Sequence, residues 1–355
     1  MTGIAPPELL VVVDTEEEFD WAAPLDRAST ATRSIPAQER AQAIYDRLGI
    51  TPTYVIDYPV ATDPVATEYL RSLQDAGRAE IGAHLHPWVT PPHSEAVSYF
   101  NSYQCNLPAQ LERAKLETLT DAIESAFARR PNIFKAGRYG FGARTADMLT
   151  ELGYRIDCSM LPRHDLRADG GPDFRRVAED PYWLDQGLLE VPVTCGFVGR
   201  APWLGSAFPS LFDNPLAARL RLPGLLAKPG LVTRSRLTPE GVSAAEQCRL
   251  LDALVRRGRR TFTLVYHSPS LAPGNTPYVR SEAELDRFLA TIEQVLLHFR
   301  DRLGGRFTTM GDLYDRMSAE RRGASSPAAR QPQLQPAPRQ LAPAPVAAAG
   351  RGASC

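Results

Sequence analysis

The sequence predicts a parallel-stranded α/β barrel, on three observations. Short apolar runs alternate with amphipathic helical stretches along most of the chain, the spacing of repeated βαβ units. The runs LLVVV and TFTLVY carry no polar alternation, as expected of strands covered on both faces. Charged and imidazole side chains follow these runs directly, and the carboxyl ends of the strands are where such a barrel carries its chemistry.

In chain order, residues 9–13 are a valine-rich strand. Helical periodicity covers 37–48, a second β-rich run spans 53–56, a helix spans 66–76, and 81–83 form another short strand. A long helix over 107–129 leads to a strand at 133–134, a helix over 143–152 and a strand at 154–157. Residues 188–193 are strand-like, 261–266 form the last buried strand, and a long helix follows over 281–299. The stretch 160–187 is rich in Gly, Pro, Asp and Arg and reads as a surface excursion. Residues 197–240 mix short helices with Pro and Gly. The expectation is one barrel domain over 1–319, with an insertion around 160–240 that shapes a cleft wall. From about 320 the composition turns to Ala, Pro, Gln and Arg, and 320–355 reads as a disordered tail.

Composition narrows the function classes. The chain has 355 residues, 43% hydrophobic and 23% charged, with a net charge of −1; this balance points to neither nucleic acid nor an anionic membrane as partner. No run reaches the ~20 apolar residues of a membrane span. The start, MTGIAPPELLVVVDTEEEFDW, has no basic n-region, and Asp14 interrupts its apolar run, so it reads as a strand and the chain as cytoplasmic. The five cysteines are scattered and form no C-x-x-C pair, against a disulfide framework or a thiolate zinc site.

Four segments can carry chemistry. In VVVDTEEEFDW, Asp14 and Glu16 are two apart, so at a strand end they face the same side. Converging carboxylates repel unless a cation or a proton lies between them. In EIGAHLHPW, His84 and His86 follow a strand with the same spacing, and imidazole is the preferred neutral ligand of zinc and related metals. Trp88 can wall a pocket there, and His93 is a reserve ligand. In FKAGRYGFG the glycines permit a tight turn, and Lys135 or Arg138 can pair with a catalytic carboxylate and hold it ionised. The spacing matches neither phosphate-cradling glycine motif. In LVYHSPS, His267 leaves a buried strand, and a group titrating near neutrality is a natural proton donor to a leaving amine. Ser268 or Ser270 as nucleophile is the rival, weakened by the absence of any G-x-S-x-G elbow.

These four segments, in this order, resemble the polysaccharide deacetylase family (carbohydrate esterase family 4 and its NodB-homology relatives), with the WalW-type group as the nearest likeness. The resemblance runs from about residue 9 to residue 313. It implies a distorted (β/α)7-type barrel of the glycoside hydrolase/deacetylase type that removes N-acetyl or similar acyl groups from sugars. Carried over by motif, Asp14 is the base, Glu16 a metal ligand, His84 and His86 the metal histidines, Lys135 the residue orienting the base with Arg138 nearby, and His267 the acid. The cofactor implied is a divalent metal, with zinc expected; Trp88 and Tyr139 are expected against the sugar. The family's usual histidine pair is H-x-x-x-H, whereas here Trp88 stands where the second histidine falls and His86 has to replace it. The family's adjacent aspartates are Asp-x-Glu here, and Lys135 stands for its usual Arg. The expected substrate is a carbohydrate or sugar precursor. The alternatives are hydrolysis of another C–N or ester bond, or an inactive sugar-binding module on the same scaffold.

Overall fold

The computed structural model describes residues 5–208, 212, 217, 220, 222–228 and 230–323. Its strands are β1 (Glu8–Thr15), β2 (Thr53–Ile56), β3 (Glu80–Leu85), β4 (Ile133–Ala136), β5 (Ile156–Asp157), β6 (Tyr182–Trp183), β7 (Leu189–Glu190), β8 (Cys195–Val198), β9 (Thr233–Arg236), β10 (Thr261–His267) and β11 (Arg306–Phe307). Its helices are α1 (Glu39–Leu48), α2 (Tyr58–Thr62), α3 (Pro64–Asp75), α4 (Ala109–Phe127), α5 (Ala143–Glu151), α6 (Trp203–Ala207), α7 (Leu222–Ala227), α8 (Ala244–Arg256), α9 (Glu282–Leu297) and α10 (Met310–Gly323).

The main sheet runs β10-β1-β2-β3-β4-β5-β7-β6, with β11 pairing the start of β1. Pairings from β10 through β7 are all parallel, and only β6 at the edge is antiparallel. The run from β10 to β7 thus holds seven parallel strands in a curled, half-barrel sheet, a parallel sheet as the alternation of runs and helices predicts. Every residue of β1 is buried, which explains its unbroken apolar run. The chain just after β7 meets β10, at the other end of the parallel run, without ladder pairing. Thr194 and Thr263 bridge them: each backbone N–H donates to the other's Oγ1 at 2.8 Å. Leu237 continues the seam, donating to Thr194 O at 2.9 Å and accepting from Val265 N–H at 3.1 Å. This side-chain seam is the physical form of the barrel's distortion.

Predicted and observed elements agree within a few residues, with instructive exceptions. Asp14, His84 and His267 lie within the last residues of their strands, one or two positions earlier than the sequence boundaries implied. Helices α8 and α10 and the small antiparallel sheet β8–β9 carry no prediction. Residues 320–323 close α10 and are not part of the expected tail; the rest of that expectation falls outside the described residues. The excursion over 160–187 contributes Met160, Leu161 and Phe174 to the core, so it is anchored and not simply superficial. No helix among the described residues is long and apolar enough to cross a membrane. Cys105, Cys158, Cys195 and Cys248 are free thiols.

Candidate metal and acid–base site

The parallel register brings the four segments to one end of the barrel. Asp14 pairs with His267 across β1 and β10, and His84 with Lys135 across β3 and β4. Glu16 follows β1 and His86 follows β3. Gly137 permits this crowding: a Cβ there would lie 2.4 Å from His86 Cδ2 and 2.5 Å from Leu85 O, so only glycine fits. A cavity of about 60 Å³ opens onto the group, lined among others by Asp14, Glu16, His84, His86, Lys135 and His267, with Phe19, Trp21 and Tyr99 forming its apolar wall.

On one side of the cavity, Glu16, His84 and His86 converge. Glu16 Oε2 lies 3.5 Å from His84 Nε2 and 3.4 Å from His86 Nε2. The edge of a tetrahedron with ~2.1 Å metal–ligand bonds is about 3.4 Å, so this donor set fits a zinc-like cation. Both rings are oriented from behind. His84 Nδ1 meets Lys135 O at 3.0 Å, and His86 Nδ1 meets Glu17 Oε2 at 2.8 Å, the outer-shell arrangement typical of metal-binding histidines. Glu17 also accepts from Trp88 Nε1 at 2.9 Å, and Asp57 Oδ2 accepts the Glu17 N–H at 2.8 Å.

The electrostatics fit a cation as well. Burial, then the neighbouring Glu17, Asp14, Asp57 and Glu240, push the Glu16 carboxyl well above its ordinary range. Burial holds His84 well below the usual imidazole range and His86 down to about 4, the latter also feeling the charge of Arg138. Both rings are therefore neutral at pH 7, the form in which imidazole binds a metal. Glu16 Oε1 is buried and without a partner, and a bound cation offers it one.

On the other side, Asp14 Oδ2 forms a buried ion pair with Lys135 Nζ and lies 3.6 Å from His267 Nε2. Burial raises the Asp14 pKa, but Lys135, His84 and His267 outweigh it and leave it at about 2. Its second oxygen, Oδ1, is buried and unpartnered. His267 is held by Glu240: Nδ1 meets Oε2 at 2.8 Å, the His267 N–H donates to Oε1 at 3.1 Å, and Ser270 Oγ donates to Oε1 at 2.7 Å. Burial lowers the His267 pKa, but the Glu240 charge and hydrogen bond, with Asp14, leave it raised.

Of the sequence candidates, the structure thus brings together Asp14, Glu16, His84, His86, Lys135 and His267. Between the two basic residues proposed to pair with a carboxylate, the geometry selects Lys135; Arg138 instead packs on Tyr99 and Tyr103. Trp88, expected against a sugar, is 3% exposed and stacks on His86 at 4.2 Å, so it buttresses the Glu17–His86 pair. Tyr139, the other residue expected against a sugar, lines the cavity, with Lys135 Nζ 5.5 Å from its ring centre. His93 is exposed and outside the cluster. Ser268 Oγ accepts the Glu16 backbone N–H at 3.2 Å, Ser270 Oγ donates to Glu240 Oε1, and neither Oγ meets an imidazole.

Three carboxylates were not recognised from sequence. Asp57 follows β2 directly, and the strand-end criterion that selected Asp14 would have found it. Glu17 sits beside Glu16, and the need of a metal histidine for a rear partner pointed to it. Glu240 lies in the loop after β9, where no periodicity or motif marks it.

The architecture is that of the polysaccharide deacetylase barrels. Three solved structures illustrate the likeness. One, from Mycobacterium smegmatis, is described as a candidate polysaccharide deacetylase; it is 17% identical over 94% of this chain and 98% of its own, with a TM-score of 0.50. A candidate polysaccharide deacetylase from Pseudomonas aeruginosa PAO1 is 14% identical over 88% of this chain and 91% of its own, with a TM-score of 0.53. Puue allantoinase is 14% identical over 90% of this chain and 92% of its own, also with a TM-score of 0.53. At these identities the likeness is one of fold. No family model and no curated protein sequence matches the chain.

Proposed function

We propose that this chain is a metal-dependent hydrolase that removes an acetyl or similar acyl group from the nitrogen of a sugar or sugar precursor. The observation that carries the reading is the division of the cavity: a Glu16–His84–His86 donor set on one side, and on the other an ionised carboxylate and an imidazole, each locked by a buried partner.

Glu16, His84 and His86 would hold the cation, zinc by the composition of the set. A divalent cation supplies Lewis acidity there, making water acidic near a pKa of about 7. Asp14 Oδ1 is the free acceptor for the proton of a water attacking the acyl carbonyl, because Oδ2 is engaged by Lys135. Lys135 keeps Asp14 ionised and fixes its direction. His267, with Nδ1 bound to Glu240, presents Nε2 toward the cavity and protonates the departing nitrogen. The balance is one water consumed: its oxygen joins the acyl carbon, the C–N bond breaks, and the products are the free amine and the carboxylic acid.

The test combines metal analysis with acetate release from N-acetylated sugars, for wild type, His84→Ala and Asp14→Asn. The expected result is about one divalent ion per wild-type chain, loss of metal and activity in H84A, and retained metal with a ~10²–10⁴-fold lower rate in D14N. Full activity in both variants would reject the site.

A further inference from the structure

Arg138 is left without a task by the reading above, yet its placement is deliberate in physical terms. It lines the cavity with Tyr99 and Tyr139. Arg138 and Tyr139 adopt φ of 51° and 60°, so two adjacent non-glycine residues stand in the left-handed region. Such conformations are unfavourable for L-residues and cluster at functional sites. The guanidinium lies 4.8 Å from the ring centre of Tyr99 and 5.0 Å from that of Tyr103, and Nη2 donates to Tyr103 Oη at 3.3 Å. Its Nε is buried and without a partner.

Charge is what distinguishes it. Lys135, the other cation of the cavity, is neutralised by Asp14. Among the described residues no carboxylate stands within ion-pair distance of Arg138; Asp20 lines the same cavity but accepts the Ala22 N–H. A half-buried guanidinium packed 4.8–5.0 Å from two tyrosine ring centres, with no carboxylate partner, keeps its charge and its remaining N–H groups for an anion. The stacking explains why the residue is Arg and not Lys, since an ammonium offers neither a plane nor a fork.

We propose that Arg138 is a specificity-determining residue that receives an anionic group of the substrate, so that the acylated amine also carries a phosphate or a carboxylate. The inference rests on the hydrolase reading for the identity of the acylated group, but not for the anion contact itself.

The experiment is a tryptophan-fluorescence titration, since Trp21 and Trp88 line the cavity. Wild type, Arg138→Gln and Arg138→Lys, all full-length, are titrated with N-acetylglucosamine, its 1-phosphate and 6-phosphate, and N-acetylmuramic acid. At least one anionic compound is expected to bind tenfold or more tighter than N-acetylglucosamine in wild type. That advantage should fall below threefold in R138Q and recover in part in R138K. The phosphate and carboxylate arms tell which anion is meant. An equal affinity for all four compounds in wild type overturns the proposal, as does an advantage that survives in R138Q. Acetate release is measured on the same compounds. Anion selectivity that depends on Arg138 without any acetate release rejects the hydrolase reading and keeps this one. Release from neutral and anionic compounds alike, indifferent to Arg138, does the reverse.

Discussion

Replacing Glu240 by Gln isolates the pairing that tunes His267. Glu240 accepts from the His267 backbone, from its Nδ1 and from Ser270 Oγ. Gln keeps the shape and one carbonyl oxygen but removes the charge. A hydrogen bond to a charged group contributes about 1.5–3 kcal/mol. At 1.36 kcal/mol per pKa unit, losing it lowers the His267 pKa by about one to two units. Glu240 raises the folded-state pKa of His267, so the acid form survives to higher pH in wild type and is lost as pH rises through that value. The alkaline limb of kcat/KM should therefore move to lower pH by about one to two units in E240Q, and the imidazole resonance in an NMR titration should move with it. Stability follows the same sign. The contribution of the charged pair is complete below the unfolded histidine pKa and vanishes as pH rises past the raised one, so denaturant midpoints of wild type and E240Q should differ more at pH 5.5 than at pH 9. An unmoved alkaline limb together with an unmoved imidazole titration would refute the assignment of Glu240 as the partner that sets His267.

The remaining predictions concern the other half of the site. Glu17→Gln removes the rear partner of His86 while leaving all three ligands, and is expected to weaken zinc binding 10–100-fold in a competitive chelator titration; unchanged affinity would separate Glu17 from the metal. Gly137→Ala drives a methyl group into the His86 ring, so metal content should fall even though the residue is no ligand. Lys135→Met leaves Asp14 a buried, uncompensated carboxylate and should cost about 3–5 kcal/mol in urea unfolding, with Lys135→Arg recovering much of it; a neutral effect in K135M would mean that the pair does not hold Asp14 ionised.

Much of the site was legible in the chain itself. Apolar runs without polar alternation mark strands buried on both faces, and in a parallel barrel the residues ending such runs share one rim. That is why Asp14, His84, Lys135 and His267 could be named as neighbours although Asp14 and Lys135 are 121 positions apart. Spacing also settled that Glu16 faces the same side as Asp14, and His86 the same side as His84. What tertiary structure alone decided is which buried groups stand behind these residues. Lys135 rather than Arg138 reaches Asp14 because β4 runs beside β3 and carries Lys135 in register with His84, whereas Arg138 sits past the Gly137 turn among tyrosines. Glu240 reaches His267 from a loop that no local pattern marks, and Trp88 stacks on His86 while it donates to Glu17. Strand ends are announced by local periodicity. The partners of a buried charge are chosen by long-range packing, because desolvation makes any unpaired neighbour costly wherever in the chain it comes from.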